Sequence, residues 1–152
     1  PQESDGRVRE AMFTSLVRIG TRDSIAGMVP MLRSDDAALR TGALDALRSS
    51  VIARHELLPQ LLKESDVDVR ILSCELARGL PSEEASRSLC ALLVREAEIN
   101  VCAAAVEVLA EVGNDTALPA LTQCAQRFSQ VPFLVFAIKL ATDRIRAADT
   151  SG

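Results

Sequence analysis

One apolar position recurs along the chain with a nearly constant spacing, and this period constrains the fold more than any other feature. At intervals of 31, 30, 32 and 32 residues, the position is occupied by Val8, Leu39, Val69, Val101 and Phe133. In three of these segments an Asp lies three residues before it and an Arg directly after it, in the pairs Asp5 and Arg9, Asp36 and Arg40, and Asp66 and Arg70. A fixed period over nearly the whole chain indicates stacked repeats, because a single repeat of this size cannot bury its apolar face alone.

Each repeat contains two stretches in which apolar residues have helical spacing. The first stretch is typified by the segment from Val101 to Val112, and in three repeats it ends near a glycine, a common residue after a helix C-terminus: Gly20, Gly79 and Gly113. The second stretch predicts shorter helices at about residues 24–33, 55–64, 83–95 and 116–128. A fifth helix of the first type is predicted over residues 131–147.

The paired helices predict an all-α fold, specifically a right-handed α-solenoid of about four and a half two-helix repeats. A single domain, 1–152, would hold units near residues 5–34, 35–65, 66–97 and 98–129, with a half unit at 130–148. Pro30 lies about seven residues into its helix, so we expect it to kink or delay that helix. Pro59 and Pro119 lie near helix starts, where proline is tolerated.

Composition limits both the core and the classes of partner. Apolar residues make up 48% of the chain, yet Trp and Tyr are absent and Phe occurs four times, so the core must consist of Leu, Val, Ile and Ala. The formal net charge of -4 provides no general attraction to nucleic acid or to an anionic membrane. The sequence shows neither a long apolar run nor a signal peptide, and we expect a cytoplasmic protein.

Three short motifs resemble HEAT repeats, specifically the short bacterial HEAT-like type first recognised in phycobilisome lyases. They are the Asp-x-x-Val-Arg openings at residues 5–9 and 66–70 and the connection Gly-Asn-Asp-x-Ala-Leu-Pro-Ala-Leu at 113–121. The fourth and fifth repeats depart from the pattern, with Cys102 and Leu134 in place of the Arg. The tetratricopeptide pattern needs Trp and Tyr, and the ankyrin TPLH turn is missing. The resemblance implies a solenoid in which an Arg bridges to the Asp of the adjacent repeat.

The repeated Asp residues are interpreted as structural. An acid at a helix start caps free backbone N–H groups and complements the helix dipole, and an Arg four residues later adds a few tenths of a kcal/mol. A ligand-binding role for these pairs is the alternative.

A second ladder of basic residues ends the second-type helices. Its members, at intervals of 30, 32 and 32 residues, are Arg33, Lys63, Arg95 and Arg127. Such a row is a candidate binding surface for an acidic partner or a phosphate backbone. We favour the interpretation that these bases are neutralised locally. Bases are expected at helix C-termini, and acids such as Asp35, Glu64 and Glu98 follow closely.

The sequence shows no catalytic constellation. His55 is the single histidine and precedes Glu56, whereas the HEAT-like deoxyhypusine hydroxylase holds its metals with several His-Glu pairs. No nucleophile has a partner base, and no Gly-rich phosphate loop is present. The four cysteines lie in apolar helical stripes without CxxC spacing, and we predict buried structural thiols, with a redox or metal role as the alternative: Cys74, Cys90, Cys102 and Cys124. We therefore predict no enzyme activity, no metal and no cofactor.

The final predicted helix carries two apolar stripes. One contains Phe133, Phe136, Ala137 and Leu140 and is expected to pack on the preceding repeat; the other contains Leu134, Ile138, Ala141 and Ile145. We expect the second stripe to be uncovered, which makes Leu134 and Ile138 candidate contacts with a further repeat or with a second copy in a homodimer. The alternative is that the stripe is covered within the chain.

These features favour a non-enzymatic protein-binding or scaffold module, because α-solenoids present an extended concave surface to their partners. The HEAT-like resemblance leaves an accessory or lyase-like role on a bilin chromophore as an alternative. A nucleic-acid-binding HEAT-like protein is disfavoured, because such proteins need a basic face and aromatic side chains. The identity of the protein partner does not follow from the sequence.

Overall fold

A computed structural model describes residues 2–150 of the chain, with side chains from residue 5 onward. Within these residues the structure is helical and contains no strand. The nine α-helices of this part of the chain are α1 (Gln2–Ile19), α2 (Arg22–Ala26), α3 (Ala37–Ser49), α4 (Leu58–Leu61), α5 (Val67–Cys74), α6 (Ser82–Arg95), α7 (Ile99–Val112), α8 (Leu118–Arg127) and α9 (Pro132–Asp149). Four short 3₁₀ or π-helical turns adjoin them, at Val29–Arg33, Ala53–Leu57, Glu75–Gly79 and Asp115–Ala117.

The chain divides into two compact units, Pro1–Leu72 and Ser73–Gly152. The division falls inside α5, so unit 1 contains α1 to α4 with the beginning of α5, and unit 2 contains the remainder. In each unit, helices of the first type pack on one another and on neighbouring helices of the second type. This is the local packing of an α-solenoid, and the predicted all-α solenoid class is confirmed.

Helix α1 ends at the predicted glycine but begins earlier than predicted. Gly20 has a φ of 63°, in the left-handed region that glycine adopts most easily, and its N–H donates to the Leu16 carbonyl at 3.1 Å. At the other end, the helix starts at Gln2, so Asp5 lies inside the first turns. The prediction that Asp5 caps a helix start is therefore wrong, because Gln2 and Glu3, both good helix formers, extend the helix past it.

The equivalent Asp residues do cap the next two helices of the first type. Asp36 Oδ1 accepts from the N–H groups of Ala38 and Leu39 at 2.9 and 3.2 Å. Asp66 Oδ1 accepts in the same way at the start of α5, at 2.9 and 3.2 Å. These bonds satisfy backbone donors that have no partner inside the helix.

The bridge implied by the HEAT resemblance occurs between the first two repeats. Arg9 Nη1 lies 2.9 Å from Asp36 Oδ2, which joins α1 to the start of α3. Arg40 and Arg70 also donate to the backbone of the connection before their own helices, to the carbonyls of Ser34 and Glu64 at 2.5 and 2.8 Å. The repeated Arg thus fixes the turn between repeats.

The second helix of the first repeat is interrupted close to Pro30. Helix α2 ends at Ala26, and the chain continues after a turn as a 3₁₀ helix with Pro30 in its first positions. The expected kink or delay is confirmed, since proline has no N–H to continue the α-helical ladder. Pro59 and Pro119 lie in the first turns of α4 and α8, as predicted.

Unit 1 is closed by the contact between α1 and α3. Phe13 is almost fully buried, and its ring lies against Gly42 so closely that a Cβ built there would be 2.6 Å from Phe13 Cε2. Since Arg9 meets Asp36 and Phe13 meets Gly42, the two helices run parallel. Large aliphatic side chains complete this core, including Ile25, Leu32, Leu47 and Leu58.

Unit 2 has an aliphatic core in which α7 is central. Leu109 of α7 is fully buried, as are Leu92 of α6 and Leu121 of α8. Helix α9 packs on both α7 and α8. Arg78 adds a polar link at the surface: it pairs with Glu75 on its own turn and with Glu107 and Glu111 of α7.

Candidate functional site

Two of the four members of the basic ladder contact a neighbouring repeat within their own unit. In unit 1, Arg33 Nη2 lies 2.5 Å from Glu64 Oε2, so the base of one repeat pairs with an acid of the next. In unit 2, Arg127 donates to the carbonyls of Leu93 and Val94 at 2.5 and 3.0 Å. These carbonyls belong to the last turn of α6, where helix acceptors lack intrahelical partners. Both residues therefore connect neighbouring repeats.

The other two members of the ladder are Arg95 and Lys63, and like Arg33 and Arg127 they are exposed. Arg95 donates to the Ala91 carbonyl of its own helix at 3.2 Å. Lys63 follows α4, and no side-chain partner for its ammonium group occurs within residues 5–150. Of the four predicted binding residues, Lys63 thus has the side chain best placed to contact another molecule.

The two stripes of α9 have the opposite exposure to that predicted. Leu134, Ile138, Ala141 and Ile145 are buried, with exposed fractions of 0%, 4%, 0% and 2%. The expectation that Leu134 and Ile138 form an uncovered surface is wrong, because this stripe is the one that faces the rest of unit 2. Phe133, Phe136 and Leu140 are instead exposed, at 56%, 62% and 44%.

We call Phe133, Phe136 and Leu140 the aromatic ridge. Its members lie three and four residues apart, so they project from one face of α9. Two of the four Phe residues in the chain belong to it. Contiguous exposed apolar side chains of this size are typical of protein-interaction surfaces, and aromatic residues are enriched there. Lys139 and Asp143 lie along one side of the ridge and pair at 2.6 Å.

A second apolar surface, which the sequence analysis missed, lies between α1 and α3. It is a groove of about 750 Å³ with Phe13 at its floor, Val17 on the α1 wall, and small residues along α3: Ala38, Gly42, Ala46 and Ser49. We call it the α1–α3 groove. Polar residues line its rims, with Glu10, Thr14 and Arg18 on α1 and Asp45 on α3. The signal in the sequence was the recurrence of small residues at helical spacing in α3, which places them on one face.

A third exposed apolar stripe lies on α1. Val8 is exposed to 70% and Ile19 to 62%, with Met12 between them on the same face. This face points away from Phe13 and the groove, since Val8 and Phe13 are five residues apart on the helix.

The cysteines follow the prediction with one exception. Cys74, Cys102 and Cys124 are buried, whereas Cys90 is half-buried. All four are free thiols. Burial raises the pKa of Cys90.

Cys102 and Cys124 form a close pair next to Arg127. A hydrogen bond from Cys102, helped by the Arg127 guanidinium, lowers the pKa of Cys124 to about 7, and the same hydrogen bond with burial raises the pKa of Cys102. Cys102 Sγ also lies 3.8 Å from the Glu96 carbonyl oxygen. A thiolate of this kind is nucleophilic, but both sulfurs are closed off from solvent by the core.

The other residues that could act in catalysis or bind a metal do not form a cluster among the described residues. His55 is exposed on the π-helical turn before α4, and the neighbouring Glu56 faces Arg22 at 4.0 Å. Among residues 5–150 no group of three or more His, Cys, Asp or Glu side chains could hold a metal ion. None of the described helices has the length and apolarity needed to cross a membrane.

Comparison with known proteins finds a match to one protein family. The sequence model of HEAT repeats matches residues 55–131, about half of the chain, from the π-helical turn before α4 to the start of α9. No curated protein and no solved structure matches the chain.

Proposed function

The chain belongs to the HEAT repeat family, and on this premise we propose that it is a non-enzymatic protein-binding or scaffold module. HEAT repeats commonly bind protein partners, and the family is typically non-enzymatic. The observation that carries the proposal is the aromatic ridge of α9, because three large apolar side chains are held side by side in solvent by a helix whose opposite face is buried. Such a ridge is suited to insertion into a partner, where aromatic anchors contribute much of the binding energy.

The proposal includes a homodimer or a further protein contact through the C-terminal helix. The ridge, rather than Leu134 and Ile138, is the part of α9 that would make this contact. Lys63 is proposed as a supporting contact with an acidic partner, since its charge is exposed. Arg95, also exposed, is proposed as a separate contact on unit 2, while Arg33 and Arg127 would act through the packing of the repeats.

We also propose which type of HEAT repeat the chain contains and in which compartment it resides. The Asp-x-x-Val-Arg openings support the short bacterial HEAT-like type. The free thiols of Cys74, Cys102 and Cys124 suit a reducing compartment, and we propose the cytoplasm.

A capture experiment with matched variants tests the binding function. The full chain is immobilised and exposed to a lysate of its source organism, and retained proteins are quantified by mass spectrometry. Phe136→Glu removes the centre of the ridge, and Val94→Glu introduces the same charge at an exposed Val on α6. We expect at least one protein to be retained by the wild type and by Val94→Glu but lost with Phe136→Glu.

Two outcomes would contradict the proposal. One is that no protein is retained above the level of a blank surface. The other is that Phe136→Glu and Val94→Glu retain the same set. Far-UV circular dichroism of all three proteins shows that lost retention reflects the surface and not unfolding.

A further inference from the structure

We propose that the α1–α3 groove is the docking site for α9 of a second copy of this chain, so that copies associate head to tail. The inference rests on the proposed binding function, and it names one partner and the site that receives it. It differs from a symmetric dimer, in which α9 would contact α9.

The shapes of the two surfaces match. The ridge extends over eight residues from Phe133 to Leu140, or about 10 Å of helix. The α3 wall of the groove extends from Ala38 to Ser49, or about 16 Å, so the ridge fits within its length. The small residues on this wall let a helix approach closely, and Phe13 at the floor offers an aromatic contact. The volume of about 750 Å³ is enough to hold several large side chains.

The charges beside the two surfaces are complementary in one orientation. On α9, Lys139 and Asp143 lie on one side of the ridge and Arg144 on the other, as the helical spacing requires. When α9 runs parallel to α1 with its ridge in the groove, right-handed helix geometry places Lys139 and Asp143 along the α1 rim. It places Arg144 along the α3 rim.

Each of these charges then meets its opposite. Lys139 is directed toward Glu10, Asp143 toward Arg18, and Arg144 toward Asp45, which are the charged residues of the rims apart from Arg9. Lys139 and Asp143 are about 6 Å apart along α9 and Glu10 and Arg18 about 12 Å apart along α1, so the long Lys and Arg side chains must span the difference. Arg9 is paired with Asp36. Ion pairs within one copy can be replaced by pairs across the contact, because exposed ion pairs contribute little stability. The pairs concerned are Lys139 with Asp143, at 2.6 Å, and Asp45 with Arg48, at 3.7 Å. Arg144 also acts on Glu111, whose carboxylate is already held by Arg78.

A symmetric contact between two α9 helices lacks these features. It would set one aromatic ridge against another, with no concave surface to receive the side chains. The groove supplies that surface, which is why the head-to-tail arrangement is preferred.

A head-to-tail contact has a distinctive consequence. Each pair of copies keeps one free groove and one free ridge, so further copies can add as the concentration rises. A symmetric contact uses both ridges and stops at the dimer.

Sedimentation velocity on the purified full chain tests the inference. Phe136→Glu alters the ridge, and Thr14→Glu places a charge at the exposed α1 rim of the groove. The matched controls are Val94→Glu in unit 2 and Val8→Glu on the opposite face of α1. We expect the wild type and both controls to associate, while each of the two test variants raises the dissociation constant by roughly 30-fold or more.

Mixing the two test variants gives the decisive result. Phe136→Glu keeps an intact groove and Thr14→Glu keeps an intact ridge, so an equimolar mixture should form a one-to-one dimer that neither variant forms alone. The inference is overturned if the mixture stays monomeric, if Thr14→Glu associates like the wild type, or if Val8→Glu abolishes association. A wild type that remains monomeric up to about 1 mM also overturns it. That failure is distinguishable from failure of the binding function, which the capture experiment measures separately.

Discussion

At the scale of single residues, Gly42 determines how closely α1 and α3 approach. Its missing side chain leaves room for the ring of Phe13, which would otherwise lie 2.6 Å from a Cβ. The same absence opens the groove above it. Sequence patterns did not predict this role. A glycine within a helical stretch indicates a locally lower helix propensity, but it does not indicate which residue packs against it.

Replacement of Gly42 tests this packing against a control in the same unit. Glycine to alanine within a helix normally stabilises by up to about 1 kcal/mol, and Gly6→Ala should do so, since nothing lies within 4 Å of the new methyl group. Gly42→Ala should instead destabilise by about 1–3 kcal/mol, because the buried Phe13 ring must move. Urea unfolding of both variants measures the difference. Equal stabilisation by the two substitutions would show that the ring yields freely.

Asp36 should make the stability of the protein depend on pH. The backbone N–H of Leu39, together with Ala38 and Arg9, holds the pKa of Asp36 below its ordinary value of 3.8. A lowered pKa in the folded state means that the stabilisation is fully present above about 3.8 and is lost as the pH falls through the folded pKa. Asp36→Asn keeps a capping side chain but cannot ionise. The difference in free energy of unfolding between the two proteins should therefore be largest near neutral pH and disappear in acid. A difference that is constant over this range would contradict the assignment.

At the scale of elements, the helical period predicted which residues of α9 are apolar but not which stripe is covered. Both stripes, one with Phe136 and one with Ile138, have the correct spacing. The choice between them depends on the side from which α7 and α8 approach, and this is a property of the packed unit. The Asp caps of α3 and α5 were predictable because their hydrogen bonds are made within a few residues of the sequence.

One pair of substitutions on α9 separates the two stripes. Ile138→Glu places a charge in the core of unit 2, where the side chain is 4% exposed, and should cost several kcal/mol or prevent folding of that unit. Phe136→Glu, at a position 62% exposed, should change the free energy of unfolding by about 0.5 kcal/mol or less. Chemical denaturation followed by far-UV circular dichroism measures both. If Phe136→Glu were the more destabilising of the two, the stripe with Leu134 and Ile138 would be the exposed one.

At the scale of the whole molecule, the repeat period was sufficient to predict the fold class. It was not sufficient to predict which surface side chains are available to bind another molecule. The spacing from Val8 to Phe133 indicates the number of repeats. The recurring position is nevertheless buried at Val69 and Val101 and exposed at Val8 and Phe133, in the first and last repeats. The basic ladder had the same period, yet Arg33 and Arg127 bind groups inside the units, while the Lys63 ammonium has no partner among the described residues. Periodic sequence thus predicts equivalent positions, whereas the partner of each side chain depends on neighbours that are not periodic.

The repeat architecture also predicts that damage to the core remains local. Leu109 is fully buried in α7, so Leu109→Ala should lower the stability of unit 2 by about 2–5 kcal/mol through lost contacts and the cavity left behind. In stacked repeats each element is stabilised mainly by its nearest neighbours, and regions can open separately. Amide hydrogen exchange should therefore become faster in α6 to α9 of the variant, while the amides of α1 to α3 keep their wild-type protection. Leu47→Ala, which truncates a fully buried Leu of α3, is the matched control and should give the complementary pattern. If either variant accelerates exchange equally in both units, the chain unfolds as one cooperative body and the local description fails.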